Sequence, residues 1–199
     1  MTLSGVRWLA GTEALDPDYC VTFARGFSPM ELLASMGCAV DEASPMTSDD
    51  AADFMSQQYD DDNLRIMIRA GMAGDWAFAI EDGSIYGQRP EIMKGVAANT
   101  EAICLYRTIR GISGFGYARE SDIICAFMAK YPLSASGSDP ARLESALQRV
   151  GLGFGGNGPF PSESPWEDIL RMAEEEFSLA LPLPDIFTAG LLAAPVMYE

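Results

Sequence analysis

Residues 64–127 carry successive runs in which side chains alternate at period two, and no other feature of the chain constrains its fold as tightly. Leu64, Ile66 and Ile68 alternate with Arg65, Met67 and Arg69, and Trp76, Phe78 and Ile80 alternate with Ala77, Ala79 and Glu81. Both runs read as half-buried strands. Between them lies Gly71-Met72-Ala73-Gly74-Asp75, whose glycines can supply a reversal. A turn centred on Ala73 predicts that Ile66 faces Ile80, Ile68 faces Phe78 and Ala70 faces Trp76, which gathers the apolar residues on one face. The same register sets Arg65 opposite Glu81, a structural cross-strand pair contributing roughly 0.2–1 kcal/mol.

The chain has 199 residues, 48% of them hydrophobic, enough for one core. It reads as a single domain over 1–199, with a helix-strand-helix lead-in at 1–62, an antiparallel meander at 63–130 and a helical portion at 138–199. No amino-terminal stretch has the form of a secretion signal, and the apolar tract at 186–198 is short for a bilayer and holds Gly190 and Pro195. A cytoplasmic location is expected. Cys20, Cys38, Cys104 and Cys125 are widely spaced without a C-x-x-C pair, so they read as small buried hydrophobes, with neither disulfides nor a metal.

The net charge of −16 argues against binding to nucleic-acid phosphates and against attraction to anionic membranes. Eight acidic residues and no basic one fall between positions 41 and 62, which is half of that excess. A basic protein partner suits such a surface, and so does a purely solubilising role.

In chain order, residues 6–15 suggest a short helix with Trp8 and Leu9, and Tyr19, Val21 and Phe23 share one face of a strand. Ser28-Pro29-Met30-Glu31 has the form of a capping box. Thr47-Ser48-Asp49-Asp50 heads another helix, and Pro90 opens a third. Strands follow around Cys104, Phe115 and Cys125. Asp139-Pro140 and Ser164-Pro165-Trp166-Glu167 start the closing helices, and 186–193 is a last apolar segment docked on the core.

The absence of histidine removes Ser-His and Cys-His pairs and most zinc and iron sites. Of the two lysines, Lys94 and Lys130, neither stands beside a serine on a nucleophile elbow. Gly151-Leu152-Gly153-Phe154-Gly155-Gly156 matches a dinucleotide fingerprint literally, but it follows a helix and opens none, so it reads as a loop. Asp60-Asp61-Asp62-Asn63 lacks the glycine and terminal glutamate of a calcium loop. Glu81 with Asp82, the carboxylates Glu174 to Glu176, and Tyr59, Tyr106 or Tyr117 offer acid-base chemistry only if a cleft gathers them.

The order Trp8-Leu9, then Tyr19-Cys20-Val21-Thr22-Phe23-Ala24-Arg25-Gly26, then Trp76-Ala77-Phe78-Ala79-Ile80-Glu81-Asp82-Gly83 resembles an actinobacterial family of unknown function, DUF6461. The similarity continues through Phe115-Gly116-Tyr117-Ala118 into residues 177–195. It implies a soluble bacterial protein and supplies no catalytic residue. Arg25, Trp76 and Glu81 stand at positions that recur in the resemblance, and each has a structural reading.

The expected fold is α+β, an antiparallel sheet of about five strands with helices packed on one face and a helical carboxy-terminal third. The expected function is that of a non-catalytic acidic protein, in its most concrete form a toxin-neutralising immunity protein. It would bind a basic protein through Asp49, Asp50, Asp60, Asp61 and Asp62, with no cofactor, metal, nucleic acid or membrane. Two alternatives stand beside it: an enzyme using carboxylate or tyrosine acid-base residues, and an acidic structural domain.

Overall fold

The structure, a computed structural model, describes residues 4–57, 65–152, 162–183 and 185–197. Eleven strands dominate it: β1 (Ser4–Gly5), β2 (Tyr19–Arg25), β3 (Ser44–Met46), β4 (Arg65–Ala73), β5 (Trp76–Asp82), β6 (Glu101–Arg107), β7 (Ser113–Arg119), β8 (Asp122–Met128), β9 (Tyr131–Ser136), β10 (Ala180–Leu181) and β11 (Leu191–Met197). Nine form one antiparallel sheet in the order β3-β11-β4-β5-β2-β6-β7-β8-β9, and β1 pairs with β10 separately. The helices are α1 (Pro29–Ser35), α2 (Ser48–Gln57), α3 (Pro90–Val96), α4 (Glu144–Arg149), α5 (Pro165–Phe177) and α6 (Asp185–Thr188). No helix of the described residues is long and apolar enough to cross a membrane.

This corrects the expectation of about five strands under one helical layer. The sheet has nine strands, and the last third contributes β10 and β11 besides its helices. Besides the two-residue strands β1 and β10, three strands of the large sheet escaped the sequence reading, and each of these three contains a proline: Pro45 in β3, Pro132 in β9 and Pro195 in β11. Proline lacks the N–H that a central ladder needs, so it reads as a breaker. Here β3 and β9 are the two edge strands, and Pro195 lies beyond the part of β11 that β3 covers.

Helices cover both faces of the sheet, not one. The first face carries large side chains, among them Phe23, Phe78, Leu105 and Phe115, and α5 packs on it through Ile169, Leu170 and Ala173. The second face carries small ones, Ala24, Ala77, Ala79 and Ala102, against which α1 brings Leu32 and Leu33 and α3 brings Met93 and Val96. Helix α1 starts at the capping box seen in the sequence: Ser28 Oγ accepts from the Glu31 N–H at 3.3 Å, and Glu31 accepts from the Ser28 N–H at 2.7 Å.

The hairpin register also differs. Ala73 pairs with Trp76 and Ile68 with Glu81, a shift of three residues from the expected facing of Ile68 and Phe78. An odd shift exchanges faces, so Ile66 and Ile68 lie opposite Trp76 and Phe78 and belong to the second core. The turn sets this register: Gly74-Asp75 is a two-residue reversal, with Gly74 at φ +63° in its first position. With both faces buried, apolar pattern alone does not distinguish the two registers. Arg65 is correspondingly not opposite Glu81; it donates to both oxygens of Glu42 at 2.7 Å.

Candidate functional site

A cleft of about 680 Å³ opens on the first face between residues 13–18, the end of β5 and helix α2. Its walls are built by carboxylates that shape the backbone. Asp82 accepts from the Asp16 N–H at 2.6 Å, Asp16 accepts from the Asp18 N–H at 3.0 Å, and the Asp18 carbonyl accepts from the Gly83 N–H at 2.8 Å. These bonds turn the chain after Pro17 and lay Asp16, Asp18 and Asp82 along one rim with Glu13. Burial and the nearby Asp16 charge raise the Asp82 carboxyl above its ordinary range, although the Asp16 N–H opposes them. The remaining wall is the face of α2 that carries Ser48, Ala51 and Met55. Asp49 and Asp53 are exposed on this helix.

Arg69 is the one cation among the lining residues and is 1% exposed. It donates to the Ile186 carbonyl at 2.7 Å and to Ser48 Oγ at 3.2 Å, which ties β4 to α6 and α2. No carboxylate of the described residues forms an ion pair with it. Burial lowers its affinity for a proton, with the Asp82 charge opposing.

Beside the cleft stands the β6–β7 hairpin tip. Asp18 Oδ1 accepts from the Ile109 N–H at 2.8 Å, and Gly111 closes the turn at φ +70°. Ile109 is 71% exposed and Ile112 42% exposed. An apolar tip thus adjoins an acidic rim, and one carboxylate belongs to both.

On the opposite face Glu81 is fully buried. Its carboxylate accepts from Ser84 Oγ at 2.9 Å, from the Gly87 N–H at 2.7 Å and from the Tyr86 N–H, and so pins residues 83–88 to the sheet. Gly87 is obligatory there, since a Cβ would lie 2.4 Å from Thr22 Oγ1 and 2.6 Å from Glu81 Oε1. Burial outweighs the donors and pushes the Glu81 carboxyl up to about 7.

Of the residues singled out in the sequence, Asp49 is exposed near the start of α2, while Asp50 accepts from the Thr47 N–H at 2.9 Å and caps that helix. Asp60, Asp61, Asp62, Asn63 and Tyr59 lie outside the described residues, as does most of the glycine loop at 151–156. Trp76 is 2% exposed, and Arg25 covers its ring while pairing with Glu101 at 2.6 Å. Glu81 and Asp82 are successive strand residues and project to opposite faces, so the two carboxylates do not converge. Tyr117 donates to Glu101, and Tyr106 lies over Gly114. Sequence reasoning missed Arg69 and Asp16. The available signal was Asp16-Pro17-Asp18, a turn whose carboxylates bond the backbone locally.

The family model of DUF6461, described as a family of unknown function, matches residues 2–186. No curated protein and no solved structure matches the chain.

Proposed function

The chain belongs to that family of unknown function, and we propose that it is a non-catalytic recognition protein that docks a basic protein partner across the acidic cleft and the Ile109 hairpin tip. The observation that carries this reading is the double role of Asp18, which lines the cleft and holds the N–H of Ile109. An exposed apolar anchor bordered by charge suits a protein surface better than a small ligand. Four carboxylates, Glu13, Asp16, Asp18 and Asp82, line the cleft against Arg69, and the whole chain carries −16. Such a surface steers a cationic partner and rejects an acidic one. An immunity protein that masks a basic toxin is the most concrete form of the reading. A cytoplasmic setting accords with four free cysteines.

The test immobilises the protein, recovers its partner at low salt, and repeats the binding with purified partner and Ile109→Asp. Loss of a central apolar anchor is expected to weaken binding by roughly 30-fold or more, corresponding to about 2 kcal/mol. Circular dichroism should be unchanged, because Ile109 is 71% exposed and its substitution removes little buried surface. Equal binding by Ile109→Asp contradicts the assignment of the tip to the interface.

A further inference from the structure

Cys20 on β2 and Cys104 on the neighbouring β6 bring their sulfurs within 3.3 Å. They are diagonal neighbours, since Cys20 pairs with Tyr106 and Cys104 with Thr22. Both thiols are free, with exposures of 0% and 1%. Cys104 also lines a second cleft, of about 380 Å³, on the second face beneath α3, where Met93, Tyr106 and Gly116 stand around it. On its far side Cys20 pairs with Glu81 across the β2–β5 ladder, and its sulfur also lies 3.9 Å from Thr22 Oγ1. The arrangement is a buried dithiol with a cleft at one end.

We propose that Cys20 and Cys104 are a two-electron oxidation site for a small hydroperoxide that enters through this second cleft. Cys104 sulfur attacks the peroxide: an S–O bond forms, the O–O bond breaks, and the leaving oxygen takes the thiol proton and departs as water or an alcohol. Cys20 then attacks the sulfenic sulfur of Cys104. The S–S bond forms, the S–O bond breaks, and the departing hydroxide takes the Cys20 proton and leaves as water. Two thiols and one hydroperoxide give one disulfide, one alcohol or water, and one further water. The sulfurs have to close from 3.3 Å to roughly 2.05 Å, and because the two residues are diagonal neighbours the closure draws β2 and β6 together locally.

The oxidant class follows from the burial. A bulky disulfide such as glutathione disulfide has to build a mixed disulfide on Cys104, which is only 1% exposed, whereas a hydroperoxide presents two oxygen atoms. Burial and the contact with Cys104 hold the Cys20 thiol far above its ordinary range, and the Glu81 charge raises it further, so Cys20 acts second, on a sulfenic sulfur already formed beside it. Cys38 and Cys125 have their thiols raised to about 12 and about 11, and neither has a sulfur partner among the described residues, which makes them internal controls.

Treating the native protein with hydrogen peroxide, then denaturing and alkylating it, should give a product lighter by two hydrogens before alkylation. Two of its four thiols then react with the alkylating agent, and a single peptide cross-link joins Cys20 to Cys104. The thermal midpoint should rise, because the link closes 84 residues between neighbouring strands. In Cys20→Ser the sulfenic acid on Cys104 should persist and be captured by dimedone. Alkylation of all four thiols, a cross-link to Cys38 or Cys125, or sulfonic acid at Cys104 without a link overturns the proposal. These readings come from the parent protein and decide the matter even if Cys20→Ser does not fold.

Discussion

Replacing Trp76 with alanine is expected to lower the stability of the fold by about 3–5 kcal/mol. The ring lies between β5 and the end of α5, is 2% exposed, and donates its Nε1 hydrogen to the Phe177 carbonyl at 3.1 Å. Phe23 meets it edge-on at 6.5 Å, and the Arg25 guanidinium covers it at 4.8 Å from the ring centre. Truncation opens a cavity in the first core and leaves the Phe177 carbonyl without its donor. Trp76→Phe keeps much of the volume and loses the hydrogen bond, so its cost should be smaller, about 1–2 kcal/mol. Urea denaturation of the three proteins checks both values. An unchanged midpoint for Trp76→Ala would show that this packing does not hold the sheet to α5.

The second large effect concerns Glu81 and has a sign. Its carboxyl lies at about 7 in the fold against 4.5 as the ordinary value, so between those pH values the folded chain retains a proton that the unfolded chain has released. Stability therefore falls as pH rises through that window and levels off above 7, by about 3 kcal/mol for a shift of that size. Burial supplies the effect, with the hydrogen-bonding groups around the carboxylate working against it. Glu81→Gln removes the titration, so the difference in stability between parent and variant should change by about that amount from roughly pH 4.5 to 8. The difference isolates Glu81 from Asp82, whose carboxyl is also raised. Glu81→Ala adds a constant loss, because Ser84 Oγ and the N–H groups of Tyr86 and Gly87 are left without their acceptor, at roughly 1–3 kcal/mol each before relaxation. Parallel pH profiles for parent and Glu81→Gln would mean that the carboxyl titrates alike in both states.

The central strands were legible because their alternation survives burial: Tyr19, Val21 and Phe23, or Trp76, Phe78 and Ile80, differ in size from the alanines and cysteines between them. What that pattern leaves open is whether the small-residue face meets solvent or a second helical layer. Here α1 and α3 occupy it, which is why one-sided reasoning misplaced Ile66 and Ile68. Strands β3, β9 and β11 were illegible because Pro45, Pro132 and Pro195 look like breakers until the sheet order places the first two on edge strands and the third beyond the part of β11 that β3 covers. The cleft was legible only as charge. Asp16, Asp18 and Asp82 are distant from α2 in sequence, and nothing before the pairing of β2 with β5 brings them together. Arg69 alternates like an outward-facing residue, and only the packing of α2 and α6 over β4 turns that position inward.

The acidic face can be tested apart from the fold through Glu13, Asp49 and Asp53, whose carboxylates form no hydrogen bond or ion pair among the described residues. The deciding measurement is the association rate of the recovered partner with the parent and with the Glu13→Gln, Asp49→Asn, Asp53→Asn variant, across a series of ionic strengths. Electrostatic docking at the cleft predicts slower association and a weaker salt dependence for the variant, with a dissociation rate and a denaturation midpoint close to those of the parent. Identical association rates and identical salt dependence would contradict the assignment of this surface to partner recognition.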